Sequence, residues 1–76
     1  PEPYLKAWER SGFKKEECAV VENAPLGVRA GKAAGLYTFA VNTGILPDSE
    51  LAAEGADLVL PNMQALLQRL TAILSV

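Results

Sequence analysis

At 76 residues with a net charge of −2, the chain is one small domain at most, and chains of this size bury only about 60 to 65 per cent of the surface exposed on unfolding. Half of the residues are apolar and 21% charged, a balance that suits a globular core and argues against disorder. Seven scattered basic residues leave no nucleic-acid footprint, no apolar run reaches the roughly 18 residues that cross a bilayer, and the absence of histidine removes Ser-His-Asp triads, Cys-His pairs and most zinc sites.

The chain opens on Pro1 and enters helical patterning with no leading strand, which reads as part of a longer protein. From Pro3 to Ser11 the apolar residues Tyr4, Leu5, Ala7 and Trp8 recur at helical spacing, with Pro3 tolerated in the first turn. Gly12 supplies a left-handed stop, and a Schellman ending predicts that Phe13 folds back onto Trp8, itself expected in the core. Cys18 to Val21 reads as a strand buried on both faces. The single cysteine, Cys18, has no internal disulfide partner and reads as a buried thiol in a reducing, cytoplasmic compartment.

Leu26 to Ala34 reads as a helix carrying Gly27, Gly31 and Ala34 on one side. Gly31 in mid-helix costs about 1 kcal/mol relative to Ala, a penalty that close packing on a sheet would explain. Arg29 and Lys32 on this helix read as solvated charges rather than phosphate binders. Tyr37 to Val41 is a second strand, closed by Asn42-Thr43-Gly44; Thr43 and Gly44 fall at a strand end, with Gly44 expected as a turn residue of positive φ. A short helix from Asp48 to Glu54 and a strand from Asp57 to Leu60 follow. Asn62 then caps a last helix whose apolar stripe, Met63, Leu66, Leu67, Leu70, Ile73 and Leu74, reads as core.

Strands separated by helices imply crossover units and a parallel sheet. The fold class is therefore α/β, a three-layer Rossmann-like parallel sheet with helices on both faces, of which only a C-terminal half is present. Such a half exposes a sheet edge unless another segment or another chain covers it.

The junction at Glu22 and Asn23 carries the functional question. In open parallel α/β sheets ligands gather outside the carboxyl ends of the strands, where both residues fall. One reading makes them loop formers and helix caps. Yet Pro25 belongs at the first helical position, which makes Ala24 the cap and places Asn23 one residue too early. The other reading offers their two side-chain oxygens to a hard cation such as Mg²⁺.

The stretch from Cys18 to Gly44, "CAVVENAPLGVRAGKAAGLYTFAVNTG", resembles the fourth motif region of the haloacid dehalogenase superfamily, in its β-phosphoglucomutase-like phosphatase branch. "PEPYL", Pro1 to Leu5, is similar to the end of that family's third motif. The resemblance reaches from Pro1 to about Leu67 and implies that residues 1–76 are the C-terminal part of a core domain, without a cap domain. It implies a Mg²⁺-dependent phosphatase or phosphomutase acting on small phosphorylated metabolites through an aspartyl-phosphate. Glu22 and Asn23 match the two acidic positions beside the metal, and Asn23 departs from the pattern by bringing no charge. The nucleophile, the acid/base aspartate and the Ser/Thr phosphate binder are implied upstream of Pro1, so the chain alone is expected to be inactive.

Two further readings stand beside it. A non-catalytic α/β fragment would self-associate through its sheet edge. A dinucleotide-binding unit lacks support, since no Gly-x-Gly-x-x-Gly follows a strand.

Overall fold

The computed structural model describes residues 1–74. Four helices alternate with three strands: α1 (Glu2–Ser11), β1 (Ala19–Glu22), α2 (Pro25–Ala33), β2 (Tyr37–Val41), α3 (Asp48–Ala53), β3 (Leu58–Leu60) and α4 (Met63–Leu74), with a 3₁₀ turn at Lys15–Glu17. The strands lie side by side in the order β1-β2-β3, all parallel. Residues in register share a face, because side chains alternate along a strand. Val20, Thr38, Ala40 and Val59 therefore point one way, and Val21, Phe39, Val41, Leu58 and Leu60 the other.

The first face is covered by three helices. Val28 of α2 and Leu51 of α3, both fully buried, close over Ala40 and Val59. Tyr4, Leu5 and Trp8 of α1 pack on Val20, Ala34 and Leu36. Burying a Val- or Leu-sized side chain contributes about 1.5–3 kcal/mol, so these contacts fix the layer. Gly31 permits the close approach: a Cβ there would stand 2.6 Å from Thr38 Oγ1 and 3.2 Å from Val20 Cγ1.

The second face is covered only over β2 and β3. Leu66 of α4 is buried against Phe39, Val41 and Leu60, with Ala65 and Leu70 beside it. Met63, Leu67 and Ile73 stay exposed, and Leu74 lies outside the described side chains. The apolar stripe of α4 is thus wider than the part of the sheet it meets. The cap expected at Asn62 is present, its Oδ1 accepting the Ala65 N–H at 2.8 Å.

Three other expectations need correction. β1 starts at Ala19 and runs through Glu22, and it is half-covered rather than buried on both faces, with Ala19 and Val21 exposed. Cys18 sits just before the strand and is a half-buried thiol lining a groove. Gly12 does end α1 with φ 76°, yet Phe13 is 59% exposed. Its amide donates to Ser11 Oγ at 3.1 Å, and that hydroxyl in turn donates to the Trp8 carbonyl, so the chain never wraps back onto the indole.

Candidate functional site

β1 ends on Glu22, paired in register with Ala40, and the chain then turns through Asn23. Ala24 is the N-cap of α2, in extended conformation and without a side-chain cap bond, and Pro25 opens the helix. Asn23 is exposed and free of capping duty, as the position of Pro25 requires. A cavity of about 220 Å³ opens at the carboxyl ends of β1 and β2, lined by Val21, Glu22, Asn23, Val41, Thr43 and Met63. Glu22, Asn23 and Thr43 thus converge on one space, at the end of a parallel sheet where ligands collect.

Gly44 is not among the lining residues, and its φ is not positive. The β2–α3 loop is closed instead by Asn42, whose Nδ2 donates to Leu46 O at 2.8 Å and to Asp48 Oδ1 at 2.7 Å. Arg29 and Lys32 do not reach the cavity either. Arg29 makes a two-pronged bond to Glu54, at 2.6 and 2.8 Å, and Lys32 meets Asp57 at 2.7 Å. Both pairs fasten α2 to the chain around β3. Arg29 holds the Glu54 carboxyl below its ordinary range. Burial works against the charge on Asp57, but the Lys32 ammonium and the Thr38 N–H, 2.8 Å away, outweigh it and hold that carboxyl low as well.

Glu22 is set by two residues that spacing along the chain does not connect to it. The Tyr4 hydroxyl, on α1, donates to Glu22 Oε1. Burial first, then this bond and the negative charge of Glu22, push the Tyr4 phenol up to about 12. On the other side the carboxylate lies against the first turn of α2, in the space that a side chain at position 27 would take. A Cβ on Gly27 would collide with both carboxylate oxygens. The N-terminal end of a helix favours a negative group placed there.

Among the lining residues, Glu22, Asn23 and Thr43 carry oxygen donors: a carboxylate, an amide carbonyl and a hydroxyl. That set suits a hard cation, which takes oxygen ligands in a six-coordinate shell. Among the described residues no three His, Cys, Asp or Glu side chains come together as a metal cluster. The chain therefore fits part of a coordination shell, with one charged donor. Its two aspartates lie elsewhere: Asp48 is bonded to Asn42, and Asp57 to Lys32 and Thr38. Among the described residues no helix is long and apolar enough to cross a membrane.

No protein-family model matches the chain. It is 39% identical to Hexitol phosphatase A of Escherichia coli over 64 residues, covering 84% of this chain and 28% of that protein. Identity to the plasmid CbbY protein of Cupriavidus necator is 36% over 63 residues, covering 83% and 24%. To Glycerol-1-phosphate phosphohydrolase 1 of Saccharomyces cerevisiae it is 36% over 73 residues, covering 87% and 29%. The chain thus spans between 24% and 29% of these curated relatives' length. A solved structure from Bacteroides vulgatus, assigned as a beta-phosphoglucomutase, superposes with a TM-score of 0.92 at 51% identity, over 99% of this chain and 31% of that one. These identities and this superposition agree: the chain belongs to the haloacid dehalogenase superfamily, in its β-phosphoglucomutase-like branch, and forms a minor part of that larger fold.

Proposed function

We propose that the full-length protein is a Mg²⁺-dependent phosphatase or phosphomutase of small phosphorylated metabolites, and that this chain supplies one wall of its active site. The observation that carries the reading is the convergence of Glu22, Asn23 and Thr43 on a single cavity at the strand ends. The phosphatase and phosphohydrolase names of two relatives support a phosphate ester as substrate.

In this role Glu22 and Asn23 are the residues that hold the cation. A Mg²⁺ ion held there would neutralise charge on the phosphoryl oxygens. Glu22 contributes the negative charge and Asn23 a neutral carbonyl oxygen, while the Thr43 hydroxyl borders the same space. In that reaction an aspartate oxygen would bond to phosphorus as the ester P–O bond breaks, the alcohol leaving with a proton from the acid/base aspartate, and water would then cleave the acyl phosphate to regenerate the carboxylate and free phosphate. The nucleophile belongs to a part of the protein other than this chain, since Asp48 and Asp57 are both committed to internal bonds.

The test is Glu22→Ala in the full-length protein, assayed with p-nitrophenyl phosphate and Mg²⁺. The expected result is a fall in kcat/KM of at least about 10- to 100-fold, the scale on which metal sites lose function when their ligand environment is altered. Activity equal to the parent's would overturn the metal role.

A second reading is favoured by a separate observation, the unpaired outer edge of β1 beside exposed Ala19 and Val21. There the isolated chain would act as a self-associating α/β fragment.

A further inference from the structure

The bond between Tyr4 and Glu22 joins α1 to the end of β1, next to the packing of Tyr4, Leu5 and Trp8 on Val20. Tyr4 lies on α1, eighteen positions before Glu22, and its ring packs on the cluster of Val20, Ala34 and Leu36. The ring is thereby anchored, and the hydroxyl reaches the strand end from a fixed base. Glu22 Oε1 is taken by this donor, whereas Oε2 is the atom nearest the place of the missing Gly27 Cβ. Gly27 closes the opposite side, because the carboxylate occupies the place of its absent Cβ. A glutamate has three rotatable side-chain bonds, and left alone at a strand end it would sample several rotamers. Here one oxygen is pinned and the helix turn limits the swing of the other.

We propose that Tyr4 is a positioning residue for the metal corner: its hydroxyl, with the first turn of α2 on the other side, fixes the orientation of the Glu22 carboxylate beside the site of a divalent cation. This rests on the reading of Glu22 as a metal-holding residue given above. An outer partner that orients a ligand in this way typically accounts for 10- to 100-fold in metal affinity. Tyr4→Phe isolates the effect, since it keeps the ring in the cluster and removes only the donor.

The experiment is a Mn²⁺ titration of the full-length protein without substrate, following the electron paramagnetic resonance signal of free Mn²⁺, with thermal unfolding measured alongside. Tyr4→Phe is expected to raise the Mn²⁺ dissociation constant about 10-fold, the lower end of that range, with a melting temperature within about 2 °C of the parent. Trp8→Phe is the control, because Trp8 packs in the same cluster; it is expected to lower the melting temperature and to leave Mn²⁺ affinity within about 2-fold. Unchanged affinity in Tyr4→Phe, or an equal loss in Trp8→Phe, overturns the proposal. Glu22→Gln separates the two levels. If it weakens Mn²⁺ binding while Tyr4→Phe does not, the positioning role alone falls. If Glu22→Gln leaves affinity unchanged, the metal reading falls and the positioning role with it.

Discussion

At the scale of single residues, charge is placed where a partner holds it. Asp57 shows this most plainly, with the Lys32 ammonium at 2.7 Å and the Thr38 N–H at 2.8 Å. Burial opposes its charge, yet these partners set its carboxyl below the ordinary 3.8. A lowered folded-state value means that the unfolded chain binds the proton first as the medium acidifies. The stability Asp57 contributes is therefore complete above 3.8 and is lost as the pH falls through its folded value. Chemical unfolding of the full-length protein and of Asp57→Asn, compared from neutral pH downward, is expected to show a gap that holds to that point and closes below it. A gap independent of pH would show that packing, not charge, is what Asp57 supplies. The same scale marks what could be read in advance. Glu22 and Asn23 stood out because an acid and an amide interrupt an apolar run, and the place of Pro25 made capping a poor explanation for them. Tyr4 and Gly27 gave no such signal: one acts through a contact across eighteen residues, the other through an atom it lacks.

Among elements, the register of β2 explains most of the arrangement. Four of its five residues pair with β1 and three with β3, and Thr38 and Ala40 receive α2 while Phe39 and Val41 receive α4. The central strand was legible to the residue, because aromatic and β-branched side chains fill it and polar residues close it. β1 was read one residue early, since Glu22 looked like a terminator although its backbone still pairs with Ala40. The packing role of Gly31 was legible too, as a small residue that helix propensity alone disfavours. Its consequence is measurable. Gly31→Ala removes a helix penalty of about 1 kcal/mol, but its methyl would press on Thr38, which is buried on a short side chain with its hydroxyl bonded to Leu36 O at 3.1 Å. Overpacking of this kind costs about 1–3 kcal/mol, so a net loss in unfolding free energy is expected. A stabilised variant would mean that α2 sits farther from the sheet than described here.

For the molecule as a whole, the uneven covering of the sheet is the dominant feature. One face carries α1, α2 and α3, while the other carries α4 over two strands only. Val21, Tyr37, Met63 and Leu67 remain exposed, and the outer edge of β1 offers unpaired backbone groups. A chain with such a surface, expressed alone, is expected to associate with itself, and Val21→Lys to shift it toward monomer. Light scattering that found monomers for both would remove the self-associating reading and leave the enzymatic one untouched. That surface was only partly legible: the sequence implied a free edge, but the α4 stripe read as wholly buried because periodicity cannot show how much sheet lies beneath a helix. The edge also borders a groove of about 320 Å³ between α1 and β1, and Trp8 lines it. The indole N–H there has no bonding partner among the described residues, and the Lys15 ammonium stands 4.7 Å from the ring centroid. As the one tryptophan of this stretch, it makes fluorescence emission a local optical probe, sensitive to α1 lifting from the sheet and blind to fraying at α4.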